Sequence, residues 1–340
     1  MASINNNLED EELKTNPDRN GNQQRDCIPF DLLSITNNKS NDANGLSTHN
    51  SLSGDLVKDA VDAQGCFGMS ASRGRGDTGR RSPRLSVDRD AIDYSMMHAN
   101  RGKCLIINNK NFNPSTQLNE RKGTDRDAEA LFDCFSNLNF EVEQLHDGTA
   151  LEIKSKLRSL ANEDFSQDDC LVVCVLTHGD RGVLWGRDHR YPTDDVYSYF
   201  TADKCPSLAG KPKVFLIQAC QGSKFDQGTF VKEHRDEVDA IQYYKIPNWA
   251  DLLIMYSTVP GYYSWRNPST GSWFIQALCD VLGKHHTNMD LLSMLTLVNH
   301  KVAYQFESFC PGQGDFDGNK QVPCITSMLT RKVYFSSNVV

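Results

Sequence analysis

A three-layer α/β fold, with a mostly parallel central sheet flanked by helices, is predicted by three features of this 340-residue sequence. The first is residues 214–217, four consecutive apolar residues after a proline, which fit a strand buried on both faces of a parallel sheet. The second is a similar run at 170–176. Both runs end in residues capable of chemistry, Thr177-His178-Gly179-Asp180 after one and Gln218-Ala219-Cys220-Gln221-Gly222 after the other. The third is the alternation of strand-like and helix-like stretches around them, which right-handed crossovers turn into a sheet covered on both faces.

Taken in order, 103–108 reads as a first strand, followed by a loop to Arg121. Thr124 with Asp127 resembles a helix N-cap and its reciprocal acid, and Ala128, Leu131, Phe132, Phe135 and Leu138 then recur at helical spacing. Residues 141–145 follow as a strand, 151–161 as a helix and 169–176 as the strand that presents His178. After Cys220 the stretch 223–245 is polar and carries almost no helix or strand signal; a compact domain tolerates so long a loop for functional reasons. Residues 250–257 resume as a strand and 272–282 as a helix. Leu291, Leu292, Leu295, Val298, Val302 and Phe306 mark a long amphipathic helix, and 322–329 closes the chain as a strand.

A net charge of −8 and a hydrophobic content of 39% describe a soluble protein. No apolar run approaches the ~20 residues needed to span a bilayer, and the first 30 residues lack a signal-peptide core, so the expected location is the cytoplasm, away from membranes. Eleven cysteines without Cys-Cys-His spacing point to reduced thiols rather than a disulfide framework or a metal site, and no cofactor is expected. His285 and His286 adjoin no thiol or carboxylate pattern and read as a solvated loop. Residues 1 to about 86, rich in Asn, Asp, Ser, Gly and Arg, bury too little surface to offset chain entropy and are expected to be disordered. Within them Arg73, Arg75, Arg80, Arg81 and Arg84 form a basic cluster, for which a solvated charge run is favoured over a nucleic-acid or substrate exosite.

Cysteine on an apolar strand is most often one more buried thiol. Cys220 is distinguished by His178, 42 positions upstream at the end of another strand, because neighbouring parallel strands would put both side chains on one rim, where open α/β sheets place their chemistry. Gln-Ala-Cys-Gln-Gly with such a histidine is also a family signature. From roughly Val87 onward the chain resembles the caspases, specifically the invertebrate effector caspases. The segments that carry the resemblance are NNKNF (108–112), RKGTDRD (121–127), LTHGD (176–180), TADKCPSLAGKPK (201–213), QACQG (218–222), YSTVPGYYSWRNPSTGSWF (256–274), FESF (306–309) and QVPCITSMLT (321–330).

The resemblance implies a cysteine endopeptidase acting in apoptosis, with Cys220 as nucleophile, His178 as general acid/base and the backbone N–H groups of Gly179 and Cys220 as oxyanion donors. It implies that Arg121, Gln218 and Arg266 bind the substrate aspartate, a site for one carboxylate built from two guanidinium groups and an amide. By the same resemblance Tyr263, Ser264 and Trp265 belong to the substrate cleft, Tyr263 and Trp265 lining an apolar second pocket. Asn267, Trp273 and Phe309 correspond to a pocket for aspartate four residues before the cut. Without the resemblance, aromatics at these places could equally be core. Pro268 departs from the family pattern by removing a backbone N–H, and loop 311–319 differs from it in length and content.

It further implies a short prodomain, residues 1–62 with a linker to about 86, then a large-subunit part at 87–239 and a small-subunit part at 240–340. Asp236-Glu237-Val238-Asp239 lies where the family is cut, and Asp59-Ala60-Val61-Asp62 fits the same specificity, so Asp239 and Asp62 are the expected cleavage positions. Cutting after Asp62 would expose Ala63, a terminus of the kind inhibitor-of-apoptosis proteins capture. The partners so implied are protein substrates, an activating initiator caspase, those inhibitors, and a second copy of the chain that continues the sheet across a homodimer. Two other readings are weaker: a related hydrolase with basic specificity would need acids where Arg121 and Arg266 stand, and an inactive scaffold does not need His178 and Cys220 intact.

Overall fold

The computed structural model describes residues 90–226, 247–310, 312 and 314–336. The chain opens with β1 (Asn100–Asn108), α1 (Thr124–Asn137), β2 (Glu141–His146), α2 (Ala150–Ala161) and β3 (Asp168–Leu176). Three short strands follow His178, β4 (Gly179–Asp180), β5 (Val183–Trp185) and β6 (Arg190–Pro192), which pair antiparallel as a small separate sheet that the sequence did not announce. The order then runs β7 (Lys213–Gln218), β8 (Leu252–Tyr256), β9 (Arg266–Asn267), β10 (Gly271–Ser272), α3 (Trp273–His285), α4 (Leu291–Gln305) and β11 (Cys324–Ser327).

Among the described residues the central sheet has six strands in the order β11-β8-β7-β3-β1-β2, all parallel except the edge strand β11, which runs antiparallel to β8. All nine residues of β3 and all six of β7 are buried. Their side chains alternate between two cores, as the period-two geometry of a strand requires. Val172, Cys174, Val214 and Leu216 face α1, α3 and α4, whereas Val173, Val175, Phe215 and Ile217 face α2 and the turns of 193–208. Helices on both faces of a mostly parallel sheet are the expected three layers.

Helix α1 corrects two readings. Its apolar stripe is Ala128, Leu131, Cys134 and Phe135, while Phe132 points outward at 40% exposure. Its N-cap is Gly123, in the left-handed region at φ 85, with no side-chain cap. Thr124 and Asp127 do not form a capping pair because tertiary partners take both side chains: Thr124 Oγ1 donates to Asn108 Oδ1, and Asp127 accepts from Ser272. The reciprocal cap is instead at α2, where Thr149 Oγ1 accepts from Glu152 N–H and the Glu152 carboxylate accepts from Thr149 N–H.

Candidate active site

The strand order reverses at β1, with β2 on one side and β3, β7 and β8 on the other, and open α/β sheets bind ligands at such a switch beyond the carboxyl ends of their strands. Leu176 pairs with Gln218 as the last register of β3 against β7, and Thr177 N–H donates to Gln218 O at 3.2 Å. His178 and Cys220 therefore each stand two residues past a paired position on adjacent strands. Gly179 follows on the same edge, in contact with the Cys220 backbone: a Cβ there would lie 2.7 Å from Cys220 O, so only glycine fits.

His178 is 5% exposed and clamped from several sides. Its carbonyl accepts from Trp185 N–H at 3.0 Å, and Thr177 Oγ1 donates to Trp185 O at 2.5 Å, so the small β4–β6 sheet holds the backbone of the histidine. Phe112 lies against the imidazole with ring centroids 4.7 Å apart. The ring's Nε2 sits 2.9 Å from Asn119 O, and because a carbonyl only accepts, Nε2 carries the proton and Nδ1 is the basic nitrogen. Cys220 is partly exposed, its sulfur 4.0 Å from Ser264 O.

The loop from Asn109 to Arg121 that delivers Asn119 is tied down by Asp147. That carboxylate accepts from Lys110 N–H (2.7 Å), Asn111 N–H (2.8 Å) and the Asn111 side chain (2.8 Å). Partial burial alone would raise the Asp147 pKa, but those hydrogen bonds outweigh it and hold the carboxyl below its usual value. Arg121, at the end of the loop, is buried; its Nη1 donates to Asn109 O at 3.2 Å and Thr124 Oγ1 at 2.7 Å.

Gln218 ends β7 with its Nε2 donating to Ser264 Oγ at 2.7 Å and its Oε1 buried without a hydrogen-bond partner. Rotating the amide by half a turn lets Oε1 accept from the Ser264 hydroxyl and turns two N–H donors to that buried position. Arg266 opens β9, partly buried, its Nε donating to Lys122 O at 2.8 Å. Arg121 and Arg266 thus both bond groups of the segment 121–124.

The other cleft residues are less alike than the sequence suggests. Tyr263, Ser264 and Asn267 are buried, and Asn267 Oδ1 closes the β9–β10 turn by accepting from Ser269 and Thr270 N–H. Trp273 is 0% exposed, stacked on Trp265 at 5.6 Å and on Phe306 at 5.6 Å, so in this conformation it belongs to the core. Phe309, in contrast, is 39% exposed. Phe225, unmarked in the sequence, stacks on Tyr263 at 5.2 Å and meets Phe316 edge-on at 5.2 Å, covering the apolar group. A cavity of about 240 Å³ adjoins Cys220, lined among others by Asp180, Arg181, Thr193, Asp194 and Tyr256; neither Arg121 nor Arg266 lines it. Asp62 and Asp239 lie outside the described residues.

A thiol and an imidazole at adjacent strand ends, with backbone N–H groups beside them, are the groups that cysteine-dependent acyl transfer uses. The comparisons identify which one. The caspase domain model matches residues 101–334. The chain is 44% identical over 255 residues to caspase drICE of Drosophila melanogaster, covering 74% of this chain and 75% of that one. It is 46% identical over 242 residues to caspase-3 of Mesocricetus auratus, covering 71% and 86%. The crystal structure of caspase-1 from Spodoptera frugiperda superposes with a TM-score of 0.70 at 45% identity, covering 76% of this chain and 99% of that one. The chain belongs to the caspase family. It is a cysteine-type endopeptidase of the effector kind acting in apoptosis, with protein substrates cut after aspartate and a dimeric architecture as its family context. Among the described residues no helix is long and apolar enough to cross a membrane.

Proposed function

We propose that Cys220 and His178 form the catalytic dyad and that Arg121, Gln218 and Arg266 hold the carboxylate of the substrate aspartate. The observation that carries this reading is the Leu176–Gln218 register, which sends the imidazole and the thiol off neighbouring strands at the same height. With Nε2–H committed to Asn119 O, Nδ1 takes the thiol proton. The thiolate attacks the scissile carbonyl carbon, a C–S bond forms, and the negative oxygen is met by the Gly179 and Cys220 N–H groups. The imidazolium then protonates the leaving amine as the C–N bond breaks. Water, deprotonated by the same nitrogen, hydrolyses the thioester and restores the thiol.

The wider reading follows from the same roles. Cleavage after Asp239 separates 87–239 from 240–340, an initiator caspase performs it, and cleavage after Asp62 removes the prodomain and frees Ala63 for inhibitor-of-apoptosis proteins. The enzyme acts in the cytoplasm as a homodimer of large and small subunit pairs. Tyr263, Ser264 and Trp265 contact the residues next to the cut, and Asn267, Trp273 and Phe309 select the aspartate four positions before it. For Trp273 this requires the aromatic stack to open when substrate arrives.

Acetyl-DEVD and acetyl-DEVN reporter peptides test the core of the proposal. The active enzyme should cut the first and spare the second, and Cys220→Ala should abolish turnover with an unchanged thermal melt. Turnover of acetyl-DEVD by the alanine variant would remove Cys220 from the nucleophile's role.

A further inference from the structure

We propose that Asp127 is the positioning residue that sets where Arg266 stands relative to Arg121, and so builds the carboxylate pocket from two distant parts of the chain. The inference rests on the reading of those arginines given above. Asp127 is 1% exposed and lies one turn into α1. Its Oδ1 accepts from Ser272 N–H at 2.7 Å and its Oδ2 from Ser272 Oγ–H at 2.5 Å, across 145 positions of sequence. Ser272 is the direct cross-strand partner of Arg266 in the β9–β10 hairpin, so what fixes one fixes the other.

Two glycines show how close this approach is. Gly271 has φ +90, and a Cβ on it would stand 2.4 Å from Asp127 Oδ1; a Cβ on Gly123 would stand 2.6 Å from Asn267 O. The hairpin backbone therefore presses against the first turn of α1, with Asp127 as the clasp. Thr124 in that turn holds Arg121 through its hydroxyl, and Lys122, two residues before the helix, holds Arg266 through its carbonyl. Both guanidinium charges act on the Asp127 carboxyl. Burial nonetheless pushes that carboxyl up, above its ordinary value, so an uncharged amide of the same shape is a close substitute.

Asp127 satisfies the buried N–H and hydroxyl of Ser272, so its loss frees Ser272 and with it the hairpin that carries Arg266. Asp127→Ala should accordingly raise KM for acetyl-DEVD by about tenfold or more, with kcat per titrated active site within about threefold of wild type. Asp127→Asn offers Oδ1 to the Ser272 N–H and its amide to Ser272 Oγ, and should recover most of the lost affinity. Ser272→Ala removes one of the two bonds and should raise KM by about threefold.

Purified enzyme, KM and kcat normalised by active-site titration, and thermal melts decide the matter. A wild-type KM in Asp127→Ala, with the loss confined to melting temperature or titratable sites, overturns the inference. So does an Asp127→Asn variant as weak as the alanine. If Asp127→Ala does not fold, an unmoved KM in Ser272→Ala overturns it equally. Wild-type enzyme that cuts acetyl-DEVN as well as acetyl-DEVD would fail the carboxylate reading itself, a result distinct from a discriminating wild type whose variants keep their KM.

Discussion

The two ends of the same parallel strands treat buried charge differently. At the amino ends the charged groups close on one another and on the backbone. Asp169 accepts from His98 N–H, His98 Nδ1 and Arg101 Nη1, and Arg101 also reaches the carbonyls of Phe335 and Ser336. Lys211 Nζ donates to three carbonyls, and Asp251 accepts from Tyr94 and Thr330 hydroxyls. At the carboxyl ends Gln218 keeps a buried amide oxygen without a partner, while Arg121 bonds Asn109 O and Thr124 and Arg266 bonds Lys122 O, all at the segment that leads into α1. A buried polar group costs about 1–3 kcal/mol when unsatisfied; Arg101 Nε carries that cost inside a network whose other donors are paired, whereas Gln218 Oε1 faces the proposed carboxylate pocket, where a ligand can relieve it.

That contrast can be broken by a substitution at each end. At the anchoring end, Asp169→Ala leaves Arg101 buried beside no carboxylate, and breaking a buried pair in this way typically costs about 3–5 kcal/mol. Chemical denaturation should show a loss of that order while kcat/KM per titrated site stays within about twofold. A larger fall in kcat/KM would mean that the anchor also shapes the rim. At the binding end, Arg266→Ala removes a partly exposed arginine and should lower stability by less than about 1 kcal/mol. It should cost about 2–3 kcal/mol of transition-state stabilisation, about 30- to 160-fold in kcat/KM, because a buried substrate carboxylate loses charge-assisted bonds. Less than a tenfold fall would place the arginine outside the pocket.

The anchoring strands were the most legible part of the sequence, because a strand buried on both faces has no polar alternation to confuse its reading, and β3 and β7 are such strands. The positions of His178 and Cys220 are legible for the same reason: each stands two residues beyond the end of a buried apolar strand. What sequence could not carry were contacts made by groups with no side-chain signature. Asn119 meets the imidazole through its carbonyl, and the β4–β6 sheet that braces His178 is too short to show a period. Thr124 and Asp127 looked like a local cap because that spacing has a local meaning, but a residue 145 positions away competed for the acid and won. Trp273 and Phe309 are assigned to one pocket by resemblance, from the segments 256–274 and 306–309, yet packing buries the first and leaves the second partly at the surface.

The smallest effect concerns a charge at the anchoring end that is only partly balanced. Lys213 opens β7 with no exposed surface, its Nζ donating to Leu208 O at 3.1 Å and Lys211 O at 2.9 Å. Burial pulls its pKa down to about 8, against the opposing charge of Asp251. In the unfolded chain a lysine titrates near 10.4, so between about 8 and 10.4 the unfolded state binds more protons and stability rises with pH. Below pH 8 both states are protonated and the full penalty of burying the ammonium is present. Lys213→Met removes the titration while keeping an unbranched apolar stem, so the difference between the two proteins isolates this one group. Urea unfolding at pH 7.5 and 9.5 should move that difference toward wild type by about 2 kcal/mol, following about 1.4 kcal/mol for each pH unit above the folded pKa. A flat difference would mean that Lys213 stays charged across the range and that its two carbonyls and Asp251 balance it fully, which would make the amino end as closed at this strand as it is around Asp169.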